Sequence, residues 1–447
     1  MSESDAIEQG FDSLATSLSD GLHAGEHLLL WLAAEDSDFA RFNRGTAQQA
    51  GQVSQASLEL TLIDGQRQAG ASLDLTHNAT GDIAAAGRMV SELRSVIAHL
   101  PEDPYLNINR TPHSTVDLRG GTCPHPDEVI DDIEGTRPGR GELVGIYAGG
   151  VQRRGFANSL GQRNWFSATT VNFDWSVHLG GDRAVKCSYA GSTWHRAELD
   201  QRMRLAEAEL EALGRPPKRL SPGAYRAYLA PAALVEVLEL LSWGGFSLKS
   251  QRTRNSCLAR LADGEAQLDA SLTLYEDSAK GCAPGFQREG FVKPPTVSLV
   301  ENGTHAGALV GPRSAMEFAR PCNGAGNGES PDSLTLAPGT LSAEHIVQTL
   351  GTGIYVSNLW YMNFSDKNAC RMTGMTRFAT FWVEGGEIVA PLAVMRFDES
   401  LYRLLGTNLV GLTDRSETIL SASTYGERST DSWRSPGALV EDFRLTL

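Results

Sequence analysis

The sequence lacks the features that mark secreted and membrane-spanning proteins. Its six cysteines are scattered and form no C-x-x-C pair, which is typical of reduced structural thiols in a cytosolic protein. No apolar run approaches the roughly 20 residues that a helix needs to cross a bilayer. The first residues, Met-Ser-Glu-Ser-Asp, are acidic rather than basic, so no signal peptide is expected. These absences predict a cytoplasmic protein with no membrane partner.

Positive charge is also scarce. The 39 Lys and Arg residues are outnumbered by 54 Asp and Glu residues, which gives a net charge of −15. That balance argues against a nucleic-acid partner, because such partners are held by cationic contacts to phosphate. Hydrophobic residues make up 41% of the 447 positions and charged residues 21%, values that predict two or three globular domains.

Several common catalytic motifs are missing. The chain contains no G-x-S-x-G nucleophile elbow, no P-loop and no dinucleotide-binding G-x-G-x-x-G fingerprint. A Ser-His-Asp triad stays open as an alternative, since its members need not be neighbours in sequence. Nothing in the sequence selects particular residues for one.

The first part of the chain has the pattern of a small α/β domain, predicted to span residues 1–110. A helix is expected over residues 5–22, followed by strands over 27–33 and 38–43. Leu58, Leu60 and Leu62 then alternate with polar residues, which indicates a strand with one buried face. The Asp64-Gly65 pair predicts a hairpin turn into residues 66–75, and a helix follows from about residue 80 to 99.

A second segment is predicted over residues 111–220. Residues 101–126 contain five prolines and read as a linker or surface loop. Apolar β-runs follow at 143–148, 151–157, 163–174 and 184–189. The segment closes with an amphipathic helix at 195–213, which Gly214 and two prolines end. The boundary near residue 220 leaves 221–447 as a third domain.

Within that third domain, residues 331–391 give the clearest pattern. A short strand at 333–337 is followed by a helix over 343–350 with Ser342 as its N-cap. Strands are then expected over 353–360 and 377–384. Gly385-Gly386 predicts a hairpin into residues 387–391.

This order of elements, with Leu-x-Leu-x-Pro-Gly, Gly-Ile-Tyr-Val and Phe-Trp-Val-Glu-Gly-Gly-Glu-Ile in sequence, resembles the TldD/PmbA family. The resemblance implies an α+β fold in which two smaller α/β segments precede a large β-rich C-terminal domain. It also implies one of two roles, because the family pairs a zinc-peptidase subunit, TldD, with a metal-free relative, PmbA or TldE.

The zinc motif of the family's peptidase is absent from the matching helix. In TldD an H-E-x-x-x-H motif places two imidazoles and a catalytic glutamate on a helix, and a cysteine near the C-terminus completes the site. Here the matching helix, residues 231–242, contains no histidine; the motif aligns near Val237, Leu238 and Ser242. Tyr425 stands where the cysteine is expected. The chain therefore resembles the PmbA/TldE branch, with no catalytic residue and no bound cofactor, and zinc is expected on the partner subunit.

The resemblance implies a function as well. The chain would be the non-catalytic subunit of a heterodimeric TldD/TldE-type zinc metalloprotease, enclosing a chamber in which unfolded or modified peptides are cut. Two alternatives stay open. The chain could act alone, as a homodimeric regulator that binds peptides or proteins, in line with the family's association with DNA gyrase modulation. It could also be a hydrolase with an unrecognised site.

One set of residues is predicted to line the chamber or the subunit contact. The strand at 353–360 has two unlike faces, and the loop over 361–375 carries more polar groups than a tight connection needs. Peptide backbone in a chamber must find hydrogen bonds, so we select the polar and aromatic residues there: Tyr355, Asn358, Trp360, Tyr361 and Arg371. The alternative is that the aromatic residues belong to the core and the loop is ordinary surface.

Overall fold

The computed structural model describes residues 3–76 and 78–446 and builds two β-sheets with helices packed against them. This is the α+β architecture with a large β-rich C-terminal part that the sequence predicts. The elements of the first half are α1 (Glu3–Asp20), β1 (Glu26–Asn43), β2 (Thr46–Asp64), β3 (Arg67–Asp74), α2 (Ala79–Ile97), β4 (Ser114–Arg119), α3 (Pro126–Gly135), β5 (Glu142–Asn158), β6 (Arg163–Gly180), β7 (Arg183–Gly191) and α4 (Arg196–Leu213).

The first sheet joins the first two predicted segments. Its strand order is β3-β2-β1-β5-β6-β4, with β7 paired to β6. Strands β1 and β5 run antiparallel over their length, from Leu29 opposite Asn158 to Asn43 opposite Val144. The boundary placed at residue 110 therefore falls between strands of one sheet.

Strand β1 is one continuous strand where the sequence predicts two. Glu35, Asp36 and Ser37 in its middle have partners, so they do not interrupt the ladder. The Ser37 hydroxyl donates to the Glu35 carboxylate at 2.9 Å, and Asp36 forms an ion pair with Arg153. Strand β2 begins eleven residues earlier than its apolar alternation indicates, because its exposed first half carries polar side chains.

The predicted N-terminal hairpin is confirmed. Leu58, Leu60 and Leu62 are each 0% exposed, and they belong to a core shared with α1 and α2. The two turn residues are Gly65 and Gln66, between the paired Asp64 and Arg67. Gly65 has a φ of +61°, a conformation that glycine adopts without steric cost.

The second half is built around the last strand. Its helices are α5 (Pro231–Ser242), α6 (Leu248–Arg252), α7 (Ala259–Ala262), α8 (Pro312–Glu317) and α9 (Ile346–Leu350), with a π-helical turn at Arg403–Thr407. Its strands are β8 (Gly223–Leu229), β9 (Leu274–Glu276), β10 (Val297–Glu301), β11 (Thr304–His305), β12 (Ser333–Leu336), β13 (Gly353–Val356), β14 (Trp360–Asp366), β15 (Arg371–Met375), β16 (Thr380–Glu384), β17 (Glu387–Pro391), β18 (Arg396–Ser400), β19 (Leu409–Leu420) and β20 (Ser432–Leu445).

The second sheet has 13 strands, and β20 lies at its centre. Along the main path the order is β11-β10-β9-β12-β20-β8-β13-β16-β17. Strands β18 and β19 also pair with β20. Helix α5 packs against this sheet, with its apolar residues in the main core of the C-terminal half.

Two predictions in this region are corrected. The helix expected over 343–350 begins only at Ile346, and the Ser342 hydroxyl contacts the His345 ring at 3.0 Å instead of capping it. The strand expected over 353–360 ends at Val356, because the chain changes partners there. Strand β13 pairs with β8 and β16, whereas β14 pairs with β15.

Two further findings concern the chain as a whole. Over residues 3–76 and 78–446, no helix is both long enough and apolar enough to span a membrane. All six cysteines are free thiols.

Candidate functional site

Two adjoining cavities of about 260 and 460 Å³ form a cleft between the two sheets. We call it the intersheet cleft. The residues that line both cavities, and so join them, are Asn172, Asp174, Lys186 and the run from Leu420 to Ser423. The larger cavity is within the range of about 300–1,000 Å³ found for ligand sites.

Helix α5 forms one wall of the cleft. Pro231 occupies its first turn, where a missing N–H is tolerated. Seven of its residues are buried, and they hold it against the C-terminal core. Glu236 and Glu239, which are three residues apart and so share a face, border the cleft instead. The opposite wall comes from β6 and β7, which carry Asp174 and Lys186.

Carboxylates outnumber cations in the larger cavity. Its lining includes five carboxylates and two cationic side chains: Asp174, Glu209, Glu236, Glu239 and Glu417, with Lys186 and Arg202. The cations are only loosely engaged here, with Nζ of Lys186 3.9 Å from Glu236 and a guanidinium nitrogen of Arg202 3.9 Å from Glu417. The cleft therefore presents a negative surface.

Desolvation shifts the titration of these carboxylates. It raises the pKa of Asp174 and Glu236 above their usual range, although nearby Lys186 opposes the shift at both. Glu209 has no such neighbour, and burial alone raises its pKa to about 7. The raised pKa values show that the cleft disfavours ionised carboxylates, because positive charge on the protein does not fully compensate them.

Three polar side chains that line the cleft are almost fully buried. Asn172 on β6 is 8% exposed, and Ser357 and Asn358 after β13 are 7% and 4% exposed. The Ser357 hydroxyl is buried with no hydrogen-bond partner among the described residues. The two carboxamides make no hydrogen bond to another described residue, and they line the open space of the cleft. Because buried polar groups are normally paired, the Ser357 hydroxyl points to a ligand, and the two carboxamides stand free to bind it.

Two of the five residues predicted from the sequence lie at this cleft. Tyr355 and Asn358 border the larger cavity. The Tyr355 ring packs against Tyr228 and Phe381. Burial, reinforced by the negative charge of Glu209, raises the pKa of the Tyr355 hydroxyl well above its usual value. Tyr355 therefore lies in the wall of the cleft with its ring packed among aromatic residues.

The other three predicted residues lie elsewhere. Trp360 and Tyr361 are 36% and 76% exposed on the edge strand β14, and Arg377 stacks on Trp360 at 4.3 Å from the ring centroid. Arg371 borders a separate cavity that is rich in arginine, and its nearest acid is Asp398 at 3.6 Å. The structure does not bring these three to the cleft.

Sequence reasoning missed most of the cleft. Asn172, Asp174 and Lys186 come from the first sheet, and Glu209 comes from α4. The one available signal was polarity at alternate positions of the apolar run 163–174. Such alternation indicates that the strand has one polar face, but it does not indicate which part of the chain packs against that face.

A loop closes the cleft on the C-terminal side. It connects β19 to β20 and is anchored on the first sheet by Arg428, which is 5% exposed. The Arg428 guanidinium donates to the Thr170 carbonyl at 3.0 Å and to the Ser37 hydroxyl at 3.3 Å. The Gln152 amide donates to the Arg428 carbonyl at 2.7 Å.

The second half of the chain matches a known protein family. Residues 222–447, just over half of the sequence, match the family model of the PmbA/TldA metallopeptidase C-terminal domain. The chain belongs to the PmbA/TldD family. A search of curated protein sequences found no match.

Solved structures share the PmbA/TldD fold over nearly the whole chain. TldE from Thermococcus kodakarensis has a TM-score of 0.76 at 14% identity, and the match covers 98% of this chain and 100% of that one. A proposed DNA gyrase modulator from Thermotoga maritima has a TM-score of 0.73 at 15% identity, with the same coverage. Another proposed DNA gyrase modulator, from Bacteroides thetaiotaomicron, has a TM-score of 0.74 at 15% identity, and the match covers 98% of both chains.

The residues present do not fit the zinc of the family's peptidase. Two of the positions aligned with its motif, Val237 and Leu238, are 1% and 0% exposed in the C-terminal core. No shift of register would supply an imidazole, because α5 contains none. Tyr425 is 99% exposed. In residues 3–76 and 78–446, no three His, Cys, Asp or Glu side chains are grouped so that they could hold a metal ion.

Proposed function

We propose that this chain is the non-catalytic, TldE-like subunit of a heterodimeric zinc metalloprotease that acts on unfolded or modified peptides. The observation that carries the proposal is the cleft-facing side of α5. This side carries no imidazole; it presents Glu236 and Glu239, next to the positions that align with the zinc motif, with Lys186 as the neighbouring cation. Carboxylates without imidazole or thiolate make a poor zinc site.

A division of labour between two subunits has a physical rationale. A peptidase centre that faces an enclosed cavity selects its substrates by access, since a folded domain cannot enter. A second subunit can form that wall without contributing a catalytic residue. In this proposal a TldD-like partner holds the zinc and cleaves the peptide, and this chain shapes the chamber in the cytoplasm.

The structural neighbours are consistent with this proposal and with one alternative. One of them is named TldE, which supports the heterodimeric role. Two others are described as proposed DNA gyrase modulators, a description in line with a regulator. The alternative is therefore a homodimeric regulator that binds peptides or proteins without cleaving them. The two functions differ in whether a zinc-bearing relative is required.

Co-expression tests the proposal. The chain would be produced alone and together with a tagged relative from the same organism that carries an intact H-E-x-x-x-H motif. We expect the two to co-purify and to cleave an unfolded peptide that neither protein cleaves at a comparable rate alone. The control is the partner with its motif glutamate changed to glutamine, which should assemble without cleaving. If the chain remains homodimeric and does not co-purify with the relative, the result would contradict the proposal and support the homodimeric regulator.

A further inference from the structure

We propose that the intersheet cleft binds a cationic group of an unfolded peptide at its carboxylates, while the buried carboxamides of Asn172 and Asn358 hold the adjacent peptide backbone. The inference rests on the proposed function, because it names the class of peptide that this subunit would receive. It concerns residues of this chain only.

The first observation is uncompensated negative charge. Arg202 is shared between Glu198 at 2.9 Å and Glu417 at 3.9 Å, and Lys186 reaches Glu236 only at 3.9 Å. Glu209 forms no ion pair or hydrogen bond with any side chain in the described ranges. An ammonium or guanidinium group entering the cavity would therefore find a carboxylate with no competing cation.

The second observation is independent of charge. Asn172 approaches the cleft from the first sheet and Asn358 from the second, and both are more than nine-tenths buried. Neither side chain has a partner among the described residues, and the buried Ser357 hydroxyl is also unpaired. A carboxamide offers an acceptor and two donors, which complement the N–H and C=O of a peptide group.

The two observations together favour a peptide over a simple cation. A small inorganic cation could use carboxylate and carboxamide oxygens, but it would leave the carboxamide N–H groups unpaired. In residues 3–76 and 78–446, moreover, no three His, Cys, Asp or Glu side chains are grouped so that they could hold a metal ion. A peptide segment with a lysine or arginine side chain, or with a free amino terminus, would use both. The larger cavity, at about 460 Å³, is of a size that holds small ligands.

Binding to the chain alone tests this inference. The probe is a short, unstructured glycine–serine peptide with an acetylated amino terminus, one central lysine and a dye at its carboxyl end, followed by fluorescence anisotropy. The same peptide with norleucine replacing lysine is the matched ligand. We expect the lysine peptide to bind about tenfold more tightly. A glycine–serine peptide with a free amino terminus and no lysine shows whether the terminal ammonium serves equally well.

Variants locate the site. Glu209→Gln should weaken binding of the lysine peptide by about fivefold and leave binding of the norleucine peptide unchanged. Asn358→Ala should weaken the binding of both peptides. Glu211→Gln is the control, because Glu211 is on the same helix but exposed and outside the cleft lining. If Glu209→Gln proves unfolded by circular dichroism, Glu239→Gln takes its place with the same expectation.

The outcomes separate this inference from the proposed function. Equal binding of the lysine and norleucine peptides, or equal effects of Glu209→Gln and Glu211→Gln, would overturn the inference even if the complex with a TldD-like partner cleaves peptides. Selective binding of the lysine peptide that Glu209→Gln weakens by about fivefold, and that Glu211→Gln leaves unchanged, would support it even if no such partner assembles with the chain.

Discussion

At the scale of single residues, the intersheet cleft combines groups that a stable fold alone would not place together. The Ser357 hydroxyl is buried without a hydrogen-bond partner, and Glu209 is desolvated without a counter-charge. Each arrangement lowers the stability of the empty protein. Such groups persist where a ligand satisfies them, and they can be tested one at a time.

Glu209→Gln should raise stability in a pH-dependent way. The pKa of Glu209 is about 7 in the folded chain and about 4.5 in the unfolded chain, so between these values the folded state binds more protons. The stability contribution of Glu209 therefore falls as pH rises through that window. We expect the variant to be more stable than wild type by about 1–2 kcal/mol at pH 8 and nearly equal at pH 5. Urea unfolding at the two pH values measures this, and an equal gain at both would contradict it.

Leu60→Asp should destabilise the N-terminal sheet. Leu60 is 0% exposed, and a carboxylate there would be desolvated without a partner. We expect a loss of about 3–5 kcal/mol in the free energy of unfolding, measured by urea or thermal unfolding. Gln49→Asp, at an exposed position of the same strand, is the control and should change stability by less than about 0.5 kcal/mol. A Leu60→Asp variant that unfolds like the control would show that this face is not core.

At the scale of elements, the β19–β20 loop connects the second sheet to the first. Three consecutive residues hold it there. The Gln55 amide donates to the Gly426 carbonyl at 2.8 Å, Glu427 pairs with Arg154 at 3.2 Å, and Arg428 is inserted beneath the loop. Because the loop also lines the cleft, its anchoring controls the shape of the cavity.

Arg428→Ala should release this loop. The change removes the guanidinium that donates to the Thr170 carbonyl in a buried setting. It also removes one of the two cations near the buried Glu35 carboxylate, the other being Arg154. We therefore expect the free energy of unfolding to fall by about 3–5 kcal/mol and amide hydrogen exchange in the loop to become faster. The control is Arg415→Ala, which removes an exposed ion pair with Glu344 at 3.9 Å. It should lower the free energy of unfolding by less than about 1 kcal/mol. Amide hydrogen exchange that stays slow in the Arg428 variant would show that the other contacts suffice.

The elements differ in how far the sequence determines them. The limits of α5 were predictable, because Pro231 begins an apolar run that Trp243-Gly244-Gly245 ends. The full length of β1 was not predictable. Its polar residues Asp36 and Glu35 find partners in distant segments of the chain, at Arg153 and Arg428.

The cleft was predicted only in part for a similar reason. Tyr355 and Asn358 stand next to a recognisable strand, so the sequence could indicate them. Asn172 and Glu209 join them only through the packing of β6 and α4 against the second half of the chain. Trp360 and Tyr361 were grouped with them by proximity in sequence, but the change of strand partner after Val356 moves them to an edge.

At the scale of the whole molecule, the two sheets enclose a cleft whose walls come from both halves of the chain. Helix α5 belongs to the part that matches the PmbA/TldA metallopeptidase C-terminal domain, yet its cleft-facing side carries carboxylates. In our proposal this chain contributes the wall and the peptide contacts, and its partner contributes the zinc.

Metal analysis tests that central claim most directly. The chain would be purified without metal-chelating tags or chelators, alone and in complex with its TldD-like partner, and zinc would be measured by mass spectrometry. We predict no tightly held zinc in the chain alone. In the complex we predict stoichiometric zinc that disappears when the partner's motif histidines are changed to alanine. Stoichiometric zinc in the chain alone, or zinc in the complex that survives those changes, would contradict the account.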